Sequence, residues 1–521
     1  MIPEAVSIGG TVGEMIIASV NRNSDRVAFL CEGREYTYRE ARERISQAGQ
    51  FLRSLGLKKG DTIAQLARNK PEQWFVMSAA YIMGLRSVML HAMGSLEDHV
   101  FTINDAEAVI AVFDSSFAER AAEIKSDCPG VKHWFGHGEG GPLESFWDNA
   151  SRFTPKPLVN ETQAEDIIRL AYTGGTTGKP KGVMQSSRAA LYQSLLSMID
   201  KDWPERPVFL CSAPISHGAG ANIIPTLSKG GTFILLPNFK VEQVLEMIPR
   251  HKVSVIYLVP TMLYRVLDHP DTARTDLSSL KTIMYGASPA SPTRIREAID
   301  RLGPILCQTY GQTEAPSSIT VMRRDDHDPN DLKRLSSCGM AYSGIQVAIL
   351  DDKCQPLPNG DVGEICVKGP IVMSGYWRQP ELTKEVFAGG WLHTGDLGYR
   401  DELGFYYIVD RKKDMIISGG FNVYPKEIEN ILTAHPGVAS AAVIGVPDAD
   451  WGEAVKAIVV PRDGATLDEE ALISLVKAKK GGVYAPKSID FVTSLPLTPV
   501  GKPDKAALKK KYWAGHDRAV S

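Results

Sequence analysis

The chain has 521 residues, which by length alone suggests about three or four domain-sized units with room for large buried cores. Lys and Arg number 58 against 61 Asp and Glu, a net charge of −3, so no overall field favours nucleic acid or an anionic membrane, and anionic ligands must be gripped locally. Seven scattered cysteines without a CxxC disfavour a disulfide framework and a zinc site; with no basic-then-apolar leader, no apolar run near ~18 residues and no peroxisomal address in Ala519-Val520-Ser521, a reducing cytoplasm is the expected location.

In chain order, apolar spacing near 3.6 predicts a helix from Tyr38 to Leu55. Short β-branched runs at Val109–Phe113, Val208–Leu210, Phe233–Leu236 and Val253–Val259 read as buried strands of α/β units, and Ser291–Arg301 as a further helix. From Val347 to Tyr407 the strand signals crowd together between Gly and Pro turns, which predicts an antiparallel, barrel-like section. The charged stretch Asp410–Asp414 interrupts this pattern. Beyond it a smaller unit shows strands at Ala441–Ile444, Ala457–Val460 and Ile489–Val492 and a helix from Glu469 to Ala478. No internal repeat or low-complexity tract is visible. The expected fold is therefore α/β: a large N-terminal part of mixed and parallel sheets flanked by helices, with a barrel-like β section and a small α+β C-terminal part.

The most informative segment is the loop Thr173-Gly174-Gly175-Thr176-Thr177-Gly178-Lys179-Pro180-Lys181, directly after the apolar Ile167–Ala171. Small residues expose backbone N–H groups, hydroxyls add donors and lysines add charge, which together suit polyphosphate oxygens. It departs from GxxxxGK[ST], with Thr173 in place of the first glycine and Pro180 after Lys179, which argues against an ordinary P-loop ATPase or kinase. Further along come Gln308-Thr309-Tyr310-Gly311-Gln312-Thr313-Glu314, Trp391-Leu392-His393-Thr394-Gly395-Asp396, Asp410-Arg411-Lys412-Lys413-Asp414, Ser418-Gly419-Gly420, and Pro499-Val500-Gly501-Lys502. Alone, each has a plainer reading. Tyr310 fits a core aromatic, Asp396 a turn residue, Glu314 a first-turn helix acid, and Lys502 one more surface lysine beside Lys505, Lys509, Lys510 and Lys511.

Taken in order, the motifs resemble the adenylate-forming superfamily of acyl-CoA synthetases, adenylation domains of peptide synthetases and luciferases, from about Tyr36 to Lys505. That resemblance implies an ATP- and CoA-dependent, AMP-forming acid:CoA ligase. A carboxylate is a poor electrophile until adenylation gives it a leaving group, and that step needs a triphosphate grip, Mg²⁺, a nucleotide cradle and a cation at the α-phosphate. The resemblance assigns Thr173, Gly174, Gly175, Thr176, Thr177 and Lys181 to the phosphates, Glu314 to Mg²⁺ and Thr313 to the α-phosphate. Gly286-Ala287-Ser288, Tyr310 and Gly311 would cradle adenine, Asp396 would accept the ribose hydroxyls, and Arg411 would support ribose or phosphate. Lys502 would be the adenylating cation. Residues 1–409 would form the adenylation domain, 410–413 a hinge centred on Lys413, and 414–521 a mobile domain that later presents Ser418, Gly419, Gly420 and Trp451 to CoA.

His217 matches a position beside the substrate carboxylate. Gly218, Gly220 and Ala221 are expected to leave volume there, and Tyr257, Met284 and Tyr285 to wall it, which favours a bulky hydrophobic acid, aromatic or medium to long chain. Ser187 stands where many relatives carry a histidine, and Tyr484 and Ala485 where several carry basic residues. Arg323–Asp328 reads as a solvated loop. The expected partners are the acid, ATP and CoA, with no nucleic acid and no membrane span; a homodimer is among the options. Transfer to an amine or a carrier-protein thiol remains the alternative, and a silent ATP-binding sensor is disfavoured by the presence of Lys502, Glu314 and Asp396.

Overall fold

The computed structural model describes residues 10–138, 142–173, 180–412, 414–418, 421–448, 451–497 and 503–513. Among them the strands form four sheets. The largest has a parallel centre of Thr232–Leu235, Val208–Cys211, Val255–Leu258, Thr282–Gly286 and Leu306–Gln312, to which Val27–Cys31 adds in parallel at one side. Antiparallel strands Arg34–Thr37 and Ala315–Met322 extend it on either side.

These central strands are almost continuously apolar because helices cover both faces. Strand alternation sends Phe209, Phe233, Val255, Tyr257 and Met284 to one face and Leu210, Ile234, Ile256, Leu258 and Tyr285 to the other. On the first face Phe209 and Phe233 stack with centroids 4.9 Å apart. A second sheet runs parallel through Thr62–Leu66, Arg86–Met89, Ala108–Phe113 and Ile167–Thr173, then turns antiparallel at Lys181–Ser186.

The expected helices form with their caps in place. The first spans Tyr38–Ser54, where the Thr37 side chain accepts from the Glu40 N–H, an interaction worth about 1 kcal/mol. Pro292–Leu302 begins on proline and ends at Gly303, whose φ of +87° a β-carbon would strain. Glu469–Lys480 has Asp468 at its N-cap and lysines in its last turn, both favourable to the helix dipole.

The barrel-like section takes the form of a four-stranded antiparallel meander, Gln346–Leu350, Gly363–Lys368, Leu392–Arg400 and Tyr406–Arg411. The C-terminal part has its own sheet, built on the long antiparallel pair Val438–Asp448 and Gly452–Pro461, and its own core around Ile428, Leu432, Val443, Val455 and Val476. No described helix is long and apolar enough to cross a membrane.

The two parts meet at the charged stretch. Asp410, buried, accepts from the Lys426 N–H at 2.9 Å, and Arg462 lies 3.8 Å from Asp268. Burial raises the Asp410 carboxyl above its ordinary range. Arg323–Asp328 is not simply a solvated loop. His327 is buried, its Nδ1 donates to the Arg323 carbonyl at 2.7 Å, and its Nε2 meets the Tyr285 hydroxyl at 3.0 Å. Charge density in the sequence hid one neutral ring that the core absorbs.

Candidate active site

The glycine, hydroxyl and lysine loop joins two neighbouring strands, since Thr173 and Lys181 face each other in register. Gly174, Gly175, Thr176, Thr177, Gly178 and Lys179 lie outside the described residues, as do Lys413, Gly419, Gly420 and Lys502. Lys181 Nζ sits 5.6 Å from the centroid of Tyr376, within cation–π range. Tyr376 in turn donates its hydroxyl to Glu314 Oε1 at 2.8 Å. Burial and the Glu314 charge both raise the Tyr376 phenol well above its ordinary range, so it stays a donor. Glu314 is not in a helix: Thr313 and Glu314 form the two-residue turn between Leu306–Gln312 and Ala315–Met322. The tyrosine fixes one carboxylate oxygen, which leaves Oε2 as the kind of hard oxygen ligand that Mg²⁺ prefers.

Tyr310, on the strand leading into that turn, donates to Asp396 Oδ2 at 2.6 Å, while Arg411 Nε lies 3.2 Å from Oδ1. Asp396 is only 5% exposed, and a buried carboxylate needs such partners. Two partners still leave lone pairs on its oxygens for ribose hydroxyls. Beside Tyr310 runs the segment Gly286-Ala287-Ser288. A β-carbon at Gly286 would come within 2.3 Å of the Thr309 carbonyl, so only glycine lets these strands close. Ala287 holds φ +68° and Ser317 φ +52°, strained positions for residues with a β-carbon, of a kind that clusters at functional sites. Gly311 is equally confined, its absent side chain giving way to the Ser317 N–H at 2.4 Å.

His217 Nδ1 meets the Ser216 hydroxyl at 2.8 Å, and the His91 ring packs edge-to-face against it with centroids 4.7 Å apart. Burial, helped by nearby His99, lowers the His91 pKa, so its ring is held neutral. Arg169 fixes the same turn by donating to the Ser216 carbonyl at 2.8 Å. Neither His91 nor Arg169 stands out in the sequence, because no local motif contains them. A β-carbon on Gly218 would meet Ser317 Oγ at 3.5 Å and Tyr257 Oη at 3.9 Å, ordinary contacts. Gly218, Tyr257 and the His217 turn are thus brought together, with Met284 buried on the same face.

One expected wall residue and one residue expected to leave volume are corrected. Tyr285 follows Met284 along the strand and so points to the opposite face, bonded to Gln308 and His327. Gly220 leaves no volume: a β-carbon there would lie 2.0 Å from the Ile215 carbonyl. Ala221 is partly exposed in the same 3₁₀ turn, Gly218–Asn222. Ser187 fills no ligand role here; it is fully buried and accepts from the Val12 N–H at 3.1 Å.

In the C-terminal sheet Ser418 pairs with Gly452, which places it beside Trp451. Trp451 is 37% exposed, and Lys487 Nζ sits 4.4 Å over its ring. That lysine supplies a cation near the place where Tyr484 and Ala485 left one wanting. Tyr484 instead donates to the Asn422 carbonyl at 3.3 Å.

The profile of the family described as AMP-binding enzyme matches residues 17–377, and that of the AMP-binding enzyme C-terminal domain matches residues 427–502. The chain is similar to the medium/long-chain-fatty-acid–CoA ligase FadD8 of Mycobacterium tuberculosis, 41% identical over 98% of this chain and 91% of that one. It is 34% identical to a feruloyl-CoA synthase of an Amycolatopsis species, over 92% and 94% of the two chains. Among solved structures it is similar to the amide bond synthetase McbA from Marinactinospora thermotolerans, with a TM-score of 0.89 and 34% identity over 96% of this chain and 99% of that one.

Proposed function

Because the chain belongs to the family of AMP-binding enzymes, we propose that it activates a bulky hydrophobic carboxylic acid as its acyl-adenylate, releasing pyrophosphate, and then transfers the acyl group to CoA. The observation that carries the reading is the junction of Tyr310, Asp396 and Arg411 beside the Lys181–Tyr376–Glu314 chain. It offers a carboxylate for ribose, an aromatic ring, a free carboxylate oxygen and a cation together. The similarity to FadD8 and feruloyl-CoA synthase supports CoA as acceptor and a large apolar acid.

On this reading Thr173, Thr176, Thr177 and Lys181 grip the β and γ phosphates, Thr313 contacts the α-phosphate, and Lys502 stabilises the charge that grows there. Glu314 would hold Mg²⁺, which would supply charge neutralisation to the phosphates, and the acid's carboxylate oxygen attacks the α-phosphorus. His217, held by Ser216 and His91, positions that carboxylate. Residues 1–409 act as the adenylation domain and 410–413 as the hinge. Residues 414–521 then rotate to bring Ser418, Gly419, Gly420 and Trp451 to the anhydride, where the CoA thiolate displaces AMP.

Similarity to McbA favours one second reading, transfer to an amine. A thiol-release assay over aromatic and aliphatic acids with ATP, Mg²⁺ and CoA tests the first. CoA consumed in step with AMP supports it. AMP formation that requires an added amine and leaves CoA untouched selects the second, and no AMP with any acid overturns both.

A further inference from the structure

Away from the acyl and phosphate sites, three electron-pair donors converge behind Asp396. Glu364 and Cys366 alternate along Gly363–Lys368 and project to one face, and His393 is the direct cross-strand partner of Cys366. His393 Nδ1 lies 3.1 Å from Glu364 Oε2 and 3.4 Å from Cys366 Sγ, and one ligand atom from each residue lies within 4.8 Å of the others. Cys366 is fully buried, while the Glu364 and His393 side chains are 12% and 17% exposed, so the cluster has an entrance.

His393 Nε2 lies 3.1 Å from the Ala388 carbonyl and 3.7 Å from Cys354 Sγ, so a proton on Nε2 has an acceptor in that carbonyl. Nδ1 faces a carboxylate oxygen and a thiol, and a cation placed among the three would replace the protons that now link them. A metal-bound histidine gives its far N–H to such a carbonyl while its near nitrogen faces the other ligands, the arrangement His393 offers once Nδ1 is deprotonated. Donors about 2.0–2.3 Å from a tetrahedral Zn²⁺ stand roughly 3.3–3.6 Å from one another, close to the two distances from His393 Nδ1.

We propose that Glu364, Cys366 and His393 form a binding site for a soft divalent cation of the Zn²⁺ type, separate from the Mg²⁺ position at Glu314. Binding converts the Cys366 thiol to a metal thiolate and releases its proton to solvent, leaving the fourth coordination position to water. Spacing rules based on CxxC pass over such a site because its ligands come from alternate residues of one strand and from its neighbour. Two contacts tie it to the rest of the molecule. Glu364 Oε1 accepts from the Gly395 N–H at 2.9 Å, immediately before Asp396, and Glu364 Oε2 is 3.6 Å from Lys412 Nζ, which also bonds Asp352. The cation takes over Oε2 and turns Lys412 wholly to Asp352.

Co²⁺ titration of the full reduced chain, without nucleotide and in excess Mg²⁺, tests this. The expected result is one Co²⁺ per chain with a near-ultraviolet thiolate charge-transfer band, displaced by Zn²⁺, and proton release on Zn²⁺ binding. Cys366→Ser should lose the band and weaken Zn²⁺ binding by about tenfold or more, whereas Cys354→Ser should keep both. Absence of a thiolate band from the wild-type chain overturns the proposal whatever the variants do. So does a Cys366→Ser variant that folds and keeps the band.

Discussion

Half-buried Tyr310 and buried Asp396 are joined by a 2.6 Å hydrogen bond, and this bond links the strand Leu306–Gln312 to the strand Leu392–Arg400. Burial and the Asp396 charge hold the phenol far above its ordinary range, so it donates at every accessible pH. Tyr310→Phe keeps the ring and removes the donor. Adenylation measured by pyrophosphate exchange should lose about tenfold in kcat/KM for ATP, the cost of roughly 1–2 kcal/mol for a charged hydrogen bond. Unchanged kinetics with ATP would mean that Asp396 is held by Arg411 alone.

Lys502→Ala should nearly abolish acyl-adenylate formation, removing roughly 3 kcal/mol or more of charge stabilisation, while preformed acyl-AMP is still passed to CoA. Single-turnover measurement of both half-reactions checks this. Equal loss in the two would reject a role confined to adenylation.

Gly218 and Gly220 should behave differently although they stand two residues apart. Gly218→Ala places its methyl in ordinary contact range of Ser317 and Tyr257, so the protein should keep its melting temperature and shift its preference toward smaller acids. Gly220→Ala drives a methyl toward the Ile215 carbonyl, 2.0 Å away, and should lower stability by about 1–3 kcal/mol without changing the ratio between acids. Melting curves and a panel of acid chain lengths on both variants separate the two effects.

Burial depresses His137 and His327 to about 4 each, from an unfolded value near 6.5. Between those values the unfolded chain binds protons that the folded chain refuses, so the stability conferred by the neutral rings is complete above pH ~6.5 and is lost as pH falls toward ~4. Each histidine should add a slope of up to about 1.4 kcal/mol per pH unit in that window. Chemical denaturation from pH 7 to 4.5 should show a shallower slope in the His137→Gln, His327→Gln double variant, and a slope equal to wild type would exclude these two rings as the cause.

Much of the fold was legible from local signals. The helices beginning at Tyr38, Pro292 and Glu469 appear because apolar period, caps and breakers act over one or two turns, and the strands at Ala108, Val255 and Val438 because β-branched runs bounded by turns favour pleated backbone. The residue types of the candidate site were legible in the same way, since a hydroxyl and lysine loop or an acidic residue in a set motif carries its donors and acceptors wherever the chain goes. The tertiary structure decided which of those residues meet. Sheet order placed His91 against His217 and Tyr376 against Glu314, strand parity turned Tyr285 away from Met284, and the fold of one 3₁₀ turn filled the space beside Gly220. These outcomes depend on register and close packing between segments far apart in the chain, and no short window of sequence contains the partner that sets them.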